Sequence, residues 1–463
     1  MDAARRTPEQ LAEHVRGRLV ELAPESREGP LVVAVSGGAD SGALAALVAR
    51  GFGAEAAGRL VLVHVAHGWH EEESALHERD AVDALAQRLR LPVVHTAAPW
   101  HGVALRRTEG AARRWRYATL ERVACGLGAR LVLTGHHRRD QAETVCLRAR
   151  RGSGRAGLCG MAPRRRLGPQ GVSLVRPLLD VDPAELRAVL EAVGIAWFED
   201  PSNVDARHDR ARLRMGREDP ARDDARIAAF AARQRRRLVA REGVAQKRLR
   251  GAVRMRPLWS AVELDRAAWG DLTAPLAEAM WRWLGRQLGA DQQGPWLSRA
   301  HLAHLDHTMV KGGGMSLPRG VRLHARGPRA WLWRDAEAAP RAWMSAWRGA
   351  ADDGADVNGA AAVARIDARR AGSRPVLRQV REGDRFRPAG REPDREADVL
   401  AWMKRRGIPA FARARQLVVE ADREIAWVVG LRVDRRFLVA PGAQDAWHLR
   451  VEPRGGAVPY GVG

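Results

Sequence analysis

Between residues 31 and about 200, apolar runs too short to be helices alternate with stretches whose apolar residues recur every three or four positions, and this restricts the fold more than any other property of the chain. Leu31–Val35, Leu60–Val65, Val93–Thr96 and Leu131–Thr134 read as strands, with Ala43–Ala49, Leu76–Leu89 and Ala111–Leu127 as the helices between them. Such alternation predicts an α/β fold, a parallel sheet with helices on both faces. Ligands of such sheets bind at the carboxyl ends of the strands, so the loops that follow strands are where chemistry is expected. Ahead of the first strand, Thr7-Pro8-Glu9-Gln10 predicts a helix start, with Thr7 as the cap, Pro8 in the first turn and Gln10 capping back.

Beyond Pro220 the texture changes to Arg/Ala-rich helical stretches such as Arg222–Val239. Of the 16 tryptophans, 12 lie after residue 250 and are expected mostly in cores of that half. Val321–His324 and Ala330–Trp333, joined through Gly327-Pro328, form a strand pair. Val376–Val380, Leu417–Glu420 and Ile425–Gly430 read as strands around a helix at Asp394–Arg405. The expected organisation is a catalytic α/β domain (1–220), a mostly helical domain (221–348), a Gly/Ala-rich linker (349–372) and a small α+β domain (373–463).

The 463 residues carry 78 Lys+Arg against 55 Asp+Glu, a formal charge of +23. Only Lys247, Lys311 and Lys404 are lysines; a GC-rich genome explains arginine over lysine but not the excess over acids, which points to a polyanionic partner. Cys125, Cys146 and Cys159 form neither a CxxC pair nor a disulfide framework. No apolar run approaches the ~20 residues that span a bilayer. A soluble, cytoplasmic chain with no membrane partner is expected, and oligomeric state, homodimer included, is left open.

The strongest local signal is Ser36-Gly37-Gly38-Ala39-Asp40-Ser41, between a strand and a helix. Glycines let the backbone wrap an anion, and the helix amino terminus adds unpaired N–H groups and a positive dipole end, so this is a phosphate-binding loop. It is not a Walker A loop, because no Gly-Lys-Ser/Thr occurs in the chain. Asp40 beside phosphates implies an intervening Mg²⁺. The second signal, Gly135-His136-His137-Arg138-Arg139-Asp140-Gln141-Ala142-Glu143-Thr144, follows another strand. There His136 starts a turn, Asp140 and Glu143 share a helix face, and the set would orient Mg²⁺–ATP and move a proton. Gly152–Gly157 fits GxGxxG but follows a helix, so the dinucleotide geometry is missing.

Ser36–Ser41 is the pattern of the N-type ATP pyrophosphatases (PP-loop enzymes). With Ala66-His67-Gly68, Ala112-Arg113-x-x-Arg116-Tyr117, His136–Thr144, Arg151–Gly154, Gly157–Met161, Arg176–Leu179 and Glu199–Asp205, the chain resembles the tRNA(Ile)-lysidine synthetase family. Leu377-Arg378, Gly383–Phe386, Gly407–Pro409 and Trp427–Gly430 resemble that family's carboxyl-terminal domain. The resemblance implies that ATP adenylates C2 of the wobble cytidine in the CAU anticodon of a minor isoleucine tRNA. The amine of free L-lysine then displaces AMP to give lysidine. It also implies that Ser36, Gly37, Gly38, Ala39, Asp40 and Ser41 bind ATP and that Asp40 meets Mg²⁺. Asp40, His136 and Asp140 would be catalytic, Arg113 and Glu143 supporting, and Arg210 and Arg214 in contact with tRNA.

Five positions depart from the family pattern: Ala66, Trp69-His70, Arg139 in place of the first of two aspartates, and Ala211. The rival readings are another PP-loop tRNA-modifying enzyme, thiolase-like, and a catalytically inactive tRNA-binding paralogue. A cluster-bearing thiolase needs a CxxC that this chain lacks.

Overall fold

The computed structural model describes residues 6–66, 72–97, 109–168, 170–199, 219–290, 296–335, 342–349, 362–372, 374–390, 395–440 and 442–453. The chain divides into two compact units, residues 1–241 with 292–298, and 242–291 with 299–463.

The first unit runs α1 (Pro8–Leu22), β1 (Leu31–Val35), α2 (Ala39–Phe52), β2 (Leu60–Ala66), α3 (Glu72–Leu89), β3 (Val93–Ala97), α4 (Glu109–Gly126), β4 (Leu131–Leu133), α5 (Arg138–Arg150), β5 (Arg164–Arg166), β6 (Ser173–Val175), α6 (Pro183–Val193) and the start of α7 (Pro220–Arg248). The sheet order is β3-β2-β1-β4-β6-β5, parallel except for β5. All five residues of β1 are buried, because both faces are covered and neither can be polar. Leu31, Val33 and Val35 join α1, α2 and α6 in one core, while Val32 and Ala34 join Leu120 and Ala124 of α4 in the other. Leu44 and Leu47 are fully buried in the first core, each stabilising the fold by about 1.5–3 kcal/mol. The predicted start of α1 is present: the Thr7 hydroxyl accepts from Gln10 N, and the Gln10 side chain accepts from Thr7 N.

The second unit holds more sheet than its Arg/Ala-rich texture suggests. Beside α8 (Ala274–Gln287) and α9 (Arg299–Lys311) lie β7 (Val253–Arg256), β8 (Ala261–Asp265), β9 (Gly313–Leu317), β10 (Val321–Arg326) and β11 (Arg329–Arg334), an antiparallel sheet ordered β7-β8-β11-β10-β9. In β10, Val321, Leu323 and Ala325 point inward while Arg322, His324 and Arg326 face water, and β10 pairs with β11 as the strand pair expected from Val321–His324 and Ala330–Trp333. Of the Gly/Ala-rich stretch 349–372, residues 350–361 lie outside the described residues. Its next part is a strand, β13 (Ala362–Asp367), and this strand and β12 (Ala342–Gly349) flank a strand from the far end of the chain. Four further strands are β14 (Val376–Gln379), β15 (Leu417–Ala421), β16 (Glu424–Val428) and β17 (Arg432–Val433), with α10 (Val399–Arg405) capped by Asp398. The strand between β12 and β13 is β18 (Ala446–Pro453). Trp259, Trp269, Trp281, Trp331, Trp402 and Trp427 are buried, as expected of core residues, whereas Trp343 and Trp347 are exposed.

Candidate active site

The loop between β1 and α2 wraps at Gly37, whose φ of +72° and lack of a side chain are both needed, since a Cβ there would lie 2.8 Å from the Glu78 carbonyl oxygen. Gly38 caps α2 without any side-chain hydrogen bond, which leaves first-turn N–H groups directed at an incoming anion. The Ser41 hydroxyl accepts from Ser36 N (3.1 Å) and donates to Gly38 O (3.1 Å), so the loop is closed on itself.

The turn after β4 lies against this loop. A Cβ on Gly135 would sit 2.7 Å from the Asp40 carbonyl oxygen and 3.0 Å from Ser41 N. The parallel register of β1 and β4 sends both loops out of the same sheet edge. His137 caps α5: its backbone N–H donates to Asp140 Oδ2 at 3.0 Å, and its ring accepts from Asp140 N at 3.4 Å. The ring's Nε2 lies 3.3 Å from Asp40 Oδ2. Burial works against a charge on His137, but the Asp40 hydrogen bond and the charges of Asp140 and Asp40 outweigh it and raise its pKa above the ordinary value.

The structure thus brings Asp40 and Asp140 together through His137. The neighbouring His136, singled out in the sequence, instead contacts the Thr134 hydroxyl through Nδ1 at 2.9 Å. Glu143 is buried on α5. Arg139, one of the departures, lies 3.2 Å from the buried carboxylate of Asp224 on α7. Ala66 ends β2 beside Ala97 of β3. Arg210, Arg214, Trp69, His70 and Ala211 lie outside the described residues. The loop 157–161, matched in the resemblance, docks on α5. Gln141 bonds both the N–H and the carbonyl of Met161, Arg148 donates to the Gly157 and Gly160 carbonyls, and Arg235 of α7 donates to that of Met161.

Arg113 is exposed, with its guanidinium 5.1 Å from the Tyr117 ring centroid. Tyr117, in the sequence only one position of a longer motif, is the centre of a cationic cluster. Arg165 lies 4.6 Å over the same ring, and buried Arg176 donates to the Ala162 carbonyl at 2.7 Å. Burial pushes the phenol's pKa up, but Arg113, Arg176, Arg165 and Arg116 together bring it down to about 8. Burial lowers the Arg176 pKa to about 10.

A parallel sheet with this Ser-Gly-Gly-Ala-Asp-Ser loop after its first strand defines a PP-loop ATP-using domain. Residues 11–216 match the PP-loop domain family, and residues 376–451 match the TilS substrate C-terminal domain family. The tRNA(Ile)-lysidine synthase of Symbiobacterium thermophilum is 32% identical across 92% of this chain and 94% of its own length. That of Ralstonia nicotianae is 32% identical across 90% and 92%. The chain belongs to the tRNA(Ile)-lysidine synthase family. Among solved structures, the U34-tRNA thiolase NcsA from Methanococcus maripaludis covers 50% of this chain and 80% of its own at 15% identity and a TM-score of 0.41.

Proposed function

We infer that this chain ligates lysine onto C2 of the wobble cytidine in the CAU anticodon of a minor isoleucine tRNA, consuming ATP and releasing pyrophosphate and AMP. The observation that carries this reading is end-to-end similarity to lysidine synthases, together with a phosphate loop joined to a His–Asp pair at one sheet edge. The reaction has two halves. The cytidine C2 oxygen attacks the α-phosphorus of ATP, which turns a poor leaving group into a good one. The lysine ε-amine then attacks C2 and expels AMP.

In this reading Ser36–Ser41 hold the phosphates with the N–H groups of α2, and Asp40 is the protein ligand of a Mg²⁺. The donor set fits that ion. Asp40 is 46% exposed at the helix start, and no group of three or more His, Cys, Asp and Glu among the described residues makes an all-protein cage. Mg²⁺ keeps waters and phosphate oxygens as ligands and needs only one or two carboxylates. When bound, it offsets charge on the departing pyrophosphate. His137 links Asp40 to Asp140 and fixes the direction of both carboxylates. Asp140 takes the proton that the lysine ammonium must lose before it attacks, with Glu143 behind it and His136 held by Thr134.

Residues 221–348 and 373–463 supply the tRNA-binding surface, and Arg210 and Arg214 add contacts from the catalytic domain. A groove of about 570 Å³ is lined by Arg395, Arg405, Arg406 and Trp402 and also by Glu396 and Asp398; with Glu396 bonded by Arg385 and Asp398 capping α10, the arginines are the groups offered to a phosphate backbone. A cytoplasmic location follows from a tRNA substrate, and no helix among the described residues is long and apolar enough to cross a membrane. The test is incubation of the purified chain with ATP, labelled lysine and the minor isoleucine tRNA. Label on the tRNA with matching AMP release is expected; tight tRNA binding without turnover would overturn the reading.

A further inference from the structure

Both sequence neighbours of Asp140 are anchored, one directly and one through a loop, on the same helix. Arg139 Nε donates to Asp224 Oδ2 of α7 at 3.2 Å. Gln141 accepts from the Met161 N–H at 2.6 Å and donates to the Met161 carbonyl at 3.1 Å, and Arg235 of α7 donates to the Gly160 and Met161 carbonyls at 3.2 and 2.7 Å. Asp224, Ala231 and Arg235 share one face of α7, because seven and eleven positions are close to whole numbers of turns. Ala231 is fully buried, so this is the face turned inward. The first part of α7, which lies beyond the catalytic stretch expected from the sequence, thus braces the residues on both sides of Asp140.

The residue types show that the brace serves placement. α5 opens with Arg138 and Arg139 at the positive end of its dipole, where cations weaken a helix. Each is met by a carboxylate from near the start of another helix: Arg138 by Asp182, which caps α6, and Arg139 by Asp224. The Arg138 N–H also donates to the Val181 carbonyl at 3.0 Å. The stability of α5 alone does not call for arginines here, whereas fixing its start against α6 and α7 does. The Asp224 side chain is only 3% exposed and that of Arg139 35%, and so buried a carboxylate responds strongly to any change in the charge facing it.

We propose that Arg139 and Asp224 are positioning residues for the ligation, holding the first turn of α5 so that Asp140 points at the reacting amine. The inference rests on the lysidine reading, which gives Asp140 its task. The His137 cap directs Asp140 within its own helix, through the 3.0 Å bond from His137 N to Asp140 Oδ2. Where that helix start lies relative to the phosphate loop is set by contacts from outside α5, and α7 supplies those on either side of Asp140. Arg139 is then the residue this chain needs at a position where the family pattern has aspartate. Arg139→Asp restores the family's residue, yet it turns a second carboxylate toward the buried Asp224, and the attraction that holds α5 to α7 becomes a repulsion.

The experiment is steady-state lysidine formation by the full chain with ATP, labelled lysine and tRNA, each KM being determined at a temperature below the unfolding midpoint of every variant. Arg139→Asp should lower kcat about tenfold or more with the lysine, ATP and tRNA KM values within about twofold, since a reacting group is displaced while the groups that hold substrates are untouched. Asp224→Asn in the wild-type background should lower kcat about threefold or more; added to Arg139→Asp it should instead raise kcat by a similar factor, because it removes the repulsion. General damage would accumulate in the double variant, so the reversal of sign marks positioning. Arg139→Lys keeps the cation and should retain most of the rate. Glu25→Gln, which breaks an ion pair with Arg164 that does not involve α5, should leave kcat unchanged.

If Arg139→Asp fails to fold, the same reversal is read with Arg139→Met, which withdraws the cation from Asp224. An unchanged kcat in Arg139→Asp overturns the proposal, as does a double variant slower than both single variants. So does a change confined to the tRNA KM, which would make Arg139 an RNA contact. Absence of lysidine from the wild type overturns the lysidine reading, and the proposal with it.

Discussion

Gly135→Ala tests whether the two loops of the site are held together by direct backbone contact. Gly135 needs no left-handed φ, so the added methyl acts by volume alone. Its Cβ would stand 2.7 Å from the Asp40 carbonyl oxygen and 2.8 Å from the Asp40 carbonyl carbon. Ordinary contact begins near 3.4 Å, so the phosphate loop must retreat by about 0.7 Å. Backbone on both sides gives little, and overpacking of this kind costs about 1–3 kcal/mol of stability. The same retreat separates Asp40 from His137, and misplacements approaching 1 Å at a reacting centre cost about 10²-fold in rate. Urea unfolding read alongside pyrophosphate release should therefore show both losses, with tRNA affinity intact. Gly243→Ala in α7 is the control: its Cβ meets nothing within 4 Å, so it should stabilise by about 0.5–1 kcal/mol. A Gly135→Ala chain with wild-type midpoint and rate would refute the contact.

Asp40→Ala should cut pyrophosphate release by about 10²-fold or more while leaving tRNA binding within about twofold, as rapid-quench and filter-binding assays would report; unchanged release would remove Asp40 from the mechanism. Tyr117 should titrate near pH 8 by absorbance, and the linkage sign follows from the lowered pKa. The native phenol binds fewer protons than the unfolded one between about pH 8 and 10, so this stabilisation is complete above pH 10 and lost as pH falls through 8. Stability curves of wild type and Tyr117→Phe should diverge in that window; parallel curves would contradict the cluster. Replacing Arg405 and Arg406 with Glu should weaken tRNA binding and flatten its logarithmic salt slope by about 1–2, roughly one for each phosphate no longer engaged, and an unaltered slope would place the phosphate-binding residues elsewhere.

Local signals are readable from the residues. The Thr7 cap, the strand β1 and the phosphate loop each depend on a few neighbouring positions; the cap and β1 fall where the pattern places them, whereas α2 begins at Ala39, three residues inside the stretch read as loop. Contacts between distant segments are not readable in this way. His137 escapes a reading of the sequence because histidine is an unusual cap, although the three-residue spacing to Asp140 is that of a capping box, and its approach to Asp40 exists only after β1 and β4 pair. Arg139 reads as a departure from the family, but nothing local signals that Asp224 of another helix meets it. Within the antiparallel sheet of β7–β11 only the β10–β11 pair is legible in the sequence, the other three strands being short segments in Arg-rich surroundings, and the pairing of β12 and β13 with β18 joins segments on both sides of a stretch that reads as a linker.

That last arrangement has a consequence for how the protein is made. Among the described residues β12 and β13 do not pair with each other, and each pairs only with β18, whose first residue is synthesised 97 positions after Gly349. At ~5–20 residues per second the ribosome takes roughly 5–20 s to cover that distance. Throughout that interval Ile366 and Ala364 lack the strand that buries them beside Leu449 and Val451. The first unit, whose strands are complete by Val175, is free to fold meanwhile. A newly made chain therefore passes through a stage with a folded catalytic unit and an open, aggregation-prone β edge, the stage at which a chaperone would have most to do.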